Sequence, residues 1–321
     1  MSLKKIAVLT TGGDAPGMNA AIRSVVRCAL YHKLEVVGVF RGWAGLINEE
    51  LKLLDHHSVS GIINQGGTIL KTARCPEFQT REAKQRAYNT IEKNSIDALV
   101  VIGGNGSFQA LSDFYKEYKV ASIGIAASID NDINGIDVTI GSDTAINTAL
   151  SAIDNIRDTA TSMERIFVVE VMGRESGYIA LSVALAGGCE DVIIPEREYN
   201  LEWICHDIVE GNLRGKISWI IVVAEGAARA EDIAKQITDM TSLETRAVTL
   251  GHIQRGGRPT AFSRQLALNF GSFAVDCLLA GEKNKVVGYR EGKMVTVDLE
   301  VAIQKKKLEA DKLYNLIKIL T

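Results

Sequence analysis

Two carboxylates stand one residue apart in the polar loop Ser128-Ile129-Asp130-Asn131-Asp132, directly after an apolar run. At the end of a buried strand such a pair can share one site, one member taking a proton and the other holding or orienting a metal. The competing reading is a solvated turn, which Asp and Asn favour because their side chains hydrogen-bond the nearby backbone. Two glycine-rich segments follow other apolar runs: Gly12-Gly13-Asp14-Ala15-Pro16-Gly17 and Gly103-Gly104-Asn105-Gly106-Ser107. Glycines between a strand and a helix let backbone approach a ligand closely, and the helix N-terminus beyond them offers N–H groups to an anion. The second segment is not a Walker A loop, because no Gly-Lys-Ser/Thr follows. It is not a dinucleotide fingerprint either, because Gln109 stands where the third glycine belongs. Both segments also fit plain tight βα turns. Arg74, Arg165, Arg174, Arg246 and Arg255 fall near the ends of apolar runs. The forked guanidinium suits phosphate, and it suits surface ion pairs as well. His252, in Gly251-His252-Ile253-Gln254, is by itself more often a structural histidine than a catalytic one. Together these residue types suit a phosphate-bearing ligand.

The elements that must position them alternate. Ile6–Thr11, Glu35–Phe40, Ala98–Ile102, Ala121–Ala126, Ile166–Val171, Val192–Pro195, Trp219–Ala224 and Ala247–Leu250 read as buried parallel strands. Met18–Tyr31, Glu82–Lys93, Ser107–Tyr118, Ser142–Asp158, Ser176–Ala186, Leu201–Glu210 and Glu231–Thr241 read as helices between them. The alternation predicts an α/β fold with parallel sheets and right-handed crossovers. Further glycines, Gly66-Gly67, Gly173 and Gly256-Gly257, cluster near strand ends, where open α/β sheets bind ligands.

The 321 residues suggest roughly two domains, long enough to bury a core without disulfides or structural metal. A 46% hydrophobic and 23% charged composition excludes a disordered or collagen-like chain. A net charge of −3 gives no broad footprint for nucleic acid. No apolar stretch is long enough to span a membrane, and no membrane partner is expected. Met1-Ser2-Leu3 carries no functional weight, and the chain then runs into a strand-like segment, so no secretory leader is expected. Five scattered cysteines without a Cys-x-x-Cys pair fit a reducing cytoplasm. The five histidines show no zinc-like clustering.

Four motifs taken in order carry a resemblance. Gly12-Gly13-Asp14-Ala15-Pro16-Gly17-Met18-Asn19, Ile129-Asp130-Asn131-Asp132, Val169-Glu170-Val171-Met172-Gly173-Arg174 and Gly251-His252-Ile253-Gln254-Arg255-Gly256-Gly257 resemble the bacterial 6-phosphofructokinase family, from residue 5 to about residue 290. The resemblance implies two doubly wound, three-layer α/β domains with mainly parallel sheets. Residues 1–140 with about 258–305 would form an ATP-binding domain. Residues 141–257 with about 306–321 would form a sugar-phosphate-binding domain. It implies phosphoryl transfer from ATP to the 1-hydroxyl of fructose 6-phosphate, with Mg2+ as cofactor, in a cytoplasmic homotetramer answering to ADP or phosphoenolpyruvate.

Position by position, the resemblance assigns Gly13, Arg74, Cys75, Gly104, Asn105, Gly106 and Ser107 to the nucleotide. Asp130 matches the general base, and Ser128 a hydroxyl residue that helps hold the transferring phosphoryl. Arg74 and Arg174 join these two in the catalytic set. Met172, Gly173, Arg174, Glu225, His252 and Arg255 match contacts to the sugar phosphate, and Arg165 and Arg246 match arginines reaching it from a neighbouring subunit. Arg23, Arg27, Arg157, Glu190, Arg214 and Lys216 fall on effector positions, where His56 stands in place of an arginine and Gly61 in place of an aspartate. In the catalytic loops, Asn105 occupies a position where the family usually has a magnesium-holding aspartate, and Ala126-Ala127-Ser128 replaces Pro-Gly-Thr. Asp132 remains as a carboxylate toward the metal, and Asn105→Asp is expected to strengthen the hold on magnesium. Two alternatives stand beside the ATP-dependent enzyme. A pyrophosphate-dependent relative would typically carry aspartate at Gly106 and lysine at Ala127. A catalytically weak regulatory or binding subunit has Asn105 in its favour.

Overall fold

The computed structural model describes residues 3–321, so Met1 and Ser2 of the leading tripeptide lie outside it. Two compact units divide the chain: one runs up to Thr144 and resumes at Arg255–Lys306, and the other is Ala145–Gln254 with Lys307–Thr321.

In the first unit, runs such as Ile6-Ala7-Val8-Leu9 and Leu99-Val100-Val101-Ile102 are wholly buried. Continuous apolar runs of this kind make interior strands covered on both faces. The sheet order is Lys293–Asp298, Lys285–Arg290, Ala121–Ser128, Ala98–Gly103, Lys5–Thr10, Glu35–Val39 and Leu51–Leu53, with the short strand Ile140–Gly141 beside Ser128. Every pairing is parallel except the two at the edges, Lys285–Arg290 with Lys293–Asp298 and Glu35–Val39 with Leu51–Leu53. The parallel strands therefore deliver Thr11, Gly104 and Ile129 to one edge of the sheet. The helices Met18–Tyr31 and Ala261–Leu279 pack closely because a Cβ on Gly271 would lie 2.5 Å from the Ser24 Cβ. Ser24 Oγ seals the contact by donating to the Leu268 carbonyl at 2.6 Å.

The second unit has a wholly parallel sheet in the order Thr245–Thr249, Ile166–Val171, Trp219–Ala224, Asp191–Ile193. Helices Leu201–Leu213 and Ala230–Thr241 cover one face through Ile204, Ile208, Ile233 and Ile237, packed on Ile166, Val168, Ile221 and Val223. Helix Tyr178–Ala186 buries Ile179, Ala180, Leu181, Val183 and Ala184 and packs on the same sheet, with Ala310–Leu320 against it. The architecture is α/β with mainly parallel sheets, as the alternation predicts.

Two differences from the sequence reading have simple causes. Helix Ala261–Leu279 goes unpredicted because its buried face mixes Ser263 and Gly271 with Leu266, Ala267, Phe270 and Leu278, while Phe262 and Leu279 are apolar on the exposed face, so no clean stripe shows in the sequence. The segment Gly251–Arg255 is a 3-10 helix rather than an open loop.

Candidate functional site

In the first unit the two glycine loops and the aspartate loop meet at one sheet edge. Gly17 begins helix Met18–Tyr31 at φ +111° without a side-chain cap and without an acidic residue in the first turn. A Cβ on Gly17 would sit 2.7 Å from Ile140 Cγ2, so the turn has room only for glycine. Gly104 begins helix Asn105–Tyr118, again with no side-chain cap and no acidic residue in the first turn. Two helix N-termini thus present N–H groups and positive dipole ends at this edge. The loops are tied together: Ser107 Oγ donates to the Thr11 carbonyl at 2.9 Å, and Thr72 Oγ1 donates to the Gly12 carbonyl at 2.7 Å. Ser107, expected to face nucleotide, is buried, and its hydroxyl straps the two glycine loops together. A Cβ on Gly106 would meet nothing within 4 Å, which leaves open space beside the helix start. Gly13 lies under the Arg255 guanidinium: a Cβ there would be 2.7 Å from Nη1, which donates to the Asp14 carbonyl at 3.3 Å. Arg74 is exposed on the irregular segment before the 3-10 turn Pro76–Gln79. Burial raises the neighbouring Cys75 thiol above its ordinary value, which the Phe78 N–H partly offsets.

The aspartate loop is pinned from several sides. Asp130 is 2% exposed. Ser128 Oγ donates to Asp132 Oδ1 at 2.8 Å and accepts the Asp130 N–H at 3.3 Å. Asn105 Nδ2 donates to Asp132 Oδ2 at 2.9 Å and to the Asp132 carbonyl at 3.0 Å. Thr139 Oγ1 donates to the Ser128 carbonyl at 2.5 Å, and Asn131, at φ +49°, donates through Nδ2 to the Asp137 carbonyl at 2.8 Å. Lys306 reaches the same loop, Nζ donating to the Ile136 carbonyl at 2.6 Å. Burial pushes its ammonium below the ordinary value, against the pull of Asp137 and Asp132. Nothing in the local spacing of Thr139 and Lys306 marks either as a loop brace.

The fit of a cation rests on one atom. Asn105 Oδ1 is buried and accepts no hydrogen bond from the protein, so an oxygen acceptor of the kind magnesium or its hydration water takes is available there. Among the described residues no three His, Cys, Asp or Glu gather into a metal cluster. A magnesium ion at this edge would therefore be held largely by phosphate and water oxygens, with Asn105 and Asp132 beside it.

In the second unit, Met172-Gly173-Arg174 leaves strand Ile166–Val171 beside Glu225, which follows strand Trp219–Ala224. Glu225 Oε1 accepts the N–H of Arg174 at 2.9 Å and of Gly173 at 3.3 Å. Gly226 can carry no side chain, because a Cβ would sit 1.7 Å from the Arg174 carbonyl oxygen. The wholly buried Gln254 accepts the Met172 N–H at 2.8 Å through Oε1. Gln254 belongs to the Gly251–Gly257 motif, but its partner 82 residues away leaves no trace in local spacing. His252 is exposed on the same turn.

Arg165 and Arg246 lie at the opposite ends of these strands, away from Arg174 and Glu225. Glu244 holds both: Arg165 Nε is 3.0 Å from Oε2, and Arg246 pairs with Oε1. Burial raises the Glu244 carboxyl, but the two guanidiniums override it and hold it below the usual carboxylate value. Arg157 and Lys216 gather on the 6% exposed Glu190, Lys216 Nζ at 3.3 Å and Arg157 Nη1 at 3.9 Å from Oε1. Burial pushes the adjacent Cys189 thiol up to about 12, although Arg157 pulls the other way. Arg214 pairs with Glu210 at 3.1 Å instead. In the first unit, Arg23 Nη1 donates to the Val59 carbonyl at 2.7 Å, while Arg27 and His56 are exposed.

The phosphofructokinase family model matches residues 5–278. An ATP-dependent 6-phosphofructokinase of Halothermothrix orenii is 51% identical, the match covering 99% of this chain and all of that protein. One from Clostridium acetobutylicum is 49% identical with the same coverage. Among solved structures, the phosphofructokinase of Saccharomyces cerevisiae matches with a TM-score of 0.90 at 35% identity, over 94% of this chain. This chain spans 45% of the length of that yeast chain.

Proposed function

This chain belongs to the phosphofructokinase family, and we propose that it transfers the terminal phosphoryl group of ATP to the 1-hydroxyl of fructose 6-phosphate. The products are fructose 1,6-bisphosphate and ADP, and the role is glycolytic. The observation that carries the reading within the structure is the aspartate loop: a buried Asp130 braced by Ser128, Asp132 and Asn105, beside two uncapped helix N-termini at one sheet edge. Phosphoryl transfer asks a protein mainly for positioning and charge neutralisation. The glycine loops Gly12–Gly13 and Gly104–Gly106 take the nucleotide phosphates on backbone N–H groups, with Arg74 adding charge and Cys75 lying alongside. Asp130 accepts the proton of the attacking hydroxyl, and Ser128 steadies the loop and the transferring group. Bound Mg2+ supplies neutralisation of phosphate charge, beside Asn105 and Asp132. Met172, Gly173, Arg174, Glu225, His252 and Arg255 bind the sugar phosphate.

The position of Arg165 and Arg246 favours their serving a neighbouring copy in a homotetramer. Arg157, Lys216, Glu190 and Arg214 on one unit, and separately Arg23, Arg27 and His56 on the other, serve as contacts for an anionic effector such as ADP or phosphoenolpyruvate. The protein acts in the cytoplasm. Among the described residues no helix is long and apolar enough to cross a membrane. The open space at Gly106 favours a nucleotide over pyrophosphate as donor.

The test supplies fructose 6-phosphate with ATP, GTP or pyrophosphate in turn, over a magnesium series. Turnover highest with ATP is expected. Faster turnover with pyrophosphate would overturn the donor assignment. No turnover with any donor would leave the binding-subunit alternative standing.

A further inference from the structure

Asn105 is the first residue of its helix, and its surroundings fix which way its amide points. Nδ2 faces two acceptors, Asp132 Oδ2 at 2.9 Å and the Asp132 carbonyl at 3.0 Å. The reverse orientation would set the amide oxygen against both, so the donor belongs there. The other Asp132 oxygen accepts from Ser128 Oγ at 2.8 Å, and that hydroxyl in turn accepts the Asp130 N–H at 3.3 Å. One chain of hydrogen bonds thus runs from the start of helix Asn105–Tyr118, through Asp132 and Ser128, to the backbone of Asp130. Each link to Asp132 has a charged acceptor or a backbone carbonyl, and bonds to charged acceptors are among the stronger ones.

We propose that Asn105 is a positioning residue that locks the Asp130 loop through Asp132 before any cation arrives, so that this chain requires an amide, and not a carboxylate, at position 105. The proposal rests on the reading of that loop as the proton-accepting, metal-facing segment. An aspartate in the same rotamer would place a carboxylate oxygen where Nδ2 now lies, 2.9 Å from Asp132 Oδ2. Two donated hydrogen bonds would vanish, and two like charges would share one site. A cation between them would relieve the contact, as would a proton held by one of the pair at lower pH. The sequence alone predicts that Asn105→Asp improves metal use. The geometry predicts instead a loop whose order depends on magnesium.

The experiment is hydrogen exchange on the full chain, without substrates, in chelator and then across a magnesium series. In chelator, the amides of residues 129–133 should exchange roughly tenfold faster in Asn105→Asp than in the parent, the factor that about 1.4 kcal/mol represents. Millimolar magnesium should restore most of the protection in the variant and change little in the parent. The exchanged pair Asn105→Asp with Asp132→Asn puts one donor back, Asn Nδ2 facing the aspartate while its oxygen still accepts from Ser128. That pair should recover protection in chelator although both side chains differ. Asn105→Ala removes the donor without adding charge, should deprotect the same amides, and carries the test if Asn105→Asp does not fold. Parent-like protection of residues 129–133 in chelator for Asn105→Asp or Asn105→Ala would overturn the proposal, as would failure of the exchanged pair to recover any. None of these readouts needs turnover, so the lock can fail while Asp130 remains the base, and the reverse.

Discussion

Replacing Glu225 by Gln should weaken the hold on fructose 6-phosphate more than it slows chemistry. Glu225 Oε1 accepts two backbone N–H groups, from Arg174 at 2.9 Å and Gly173 at 3.3 Å, and so sets the turn that leaves strand Ile166–Val171. Arg174 sits there in the left-handed region at φ +52°, which a non-glycine residue holds only under outside restraint. Glutamine keeps an oxygen of the same reach but loses the charge. A hydrogen bond to a charged acceptor contributes about 1.5–3 kcal/mol and a neutral one about 0.5–1.5 kcal/mol. The longer of the two bonds is weak, so the combined loss is about 1–2 kcal/mol. At 1.4 kcal/mol per factor of ten, the KM for fructose 6-phosphate rises roughly 5- to 30-fold. The kcat at saturation changes little, because Asp130 and the helix termini lie on the other unit of the chain. Glu225→Ala should cost more, since the buried Gly173 N–H then lacks an acceptor.

The assay couples fructose 1,6-bisphosphate formation to a chromogenic readout at saturating ATP and magnesium, with sugar phosphate varied. Amide exchange at Gly173 and Arg174, read without substrate, separates the clamp from any direct contact of the carboxylate with sugar. Faster exchange must accompany the KM change if the clamp matters. An unchanged KM in Glu225→Gln, or equal damage from Gln and Ala, would refute the reasoning.

Three further outcomes are expected. Asp130→Asn should lower kcat by roughly 10²–10⁴, the span of a positioned general base, with sugar-phosphate affinity largely kept in equilibrium binding; near-normal turnover would place the base elsewhere. Gly226→Ala forces a Cβ to within 1.7 Å of the Arg174 carbonyl, and should abolish sugar-phosphate binding while nucleotide binding, followed by calorimetry, survives. Lys318→Met leaves Asp191, whose side chain is 3% exposed, without the ammonium now 2.9 Å away, and should lower urea stability by about 1–2 kcal/mol, less than a fully buried pair costs because solvent reaches the lysine. Burial lowers the Lys318 ammonium, but Asp191 overrides it and holds it above its ordinary value. This stabilisation is therefore complete below the unfolded lysine value and disappears as pH rises through the folded one. The gap between parent and Lys318→Met should narrow on the alkaline side, and a constant gap up to pH 11 would count against the pair.

Much of the fold was legible because its strands are unbroken apolar runs. Ile166–Val171 and Trp219–Ala224 fall where the composition puts them, and the strand before the aspartate loop starts at Ala121 as read and ends at Ser128 instead of Ala126. What escaped was Ala261–Leu279, which carries apolar residues on its exposed face as well as its buried one, and the edge hairpin Lys285–Arg290 with Lys293–Asp298, whose polar residues break the apolar run. The glycine loops were legible for a different reason: at Gly17, Gly103 and Gly226 a Cβ would strike neighbouring atoms within 2.7 Å, so the residue type itself reports a close approach. The braces were not legible. Asn105 meets Asp132 across 27 residues and Gln254 meets Met172 across 82, and no local spacing encodes such pairs.

Arg165 and Arg246 show the same limit from the other side. Their chemistry suits a phosphate, yet they sit at the amino ends of parallel strands whose carboxyl ends carry Arg174 and Glu225. A strand of six residues spans roughly 20 Å, and no side chain crosses that distance. Within one chain these arginines therefore do what surface arginines commonly do, pairing with Glu244. If they touch sugar phosphate at all, they touch one held by another copy, and Glu244 must then release them. Its loss should accordingly alter the concentration dependence of activity, which a dilution series of Glu244→Gln against the parent would read directly.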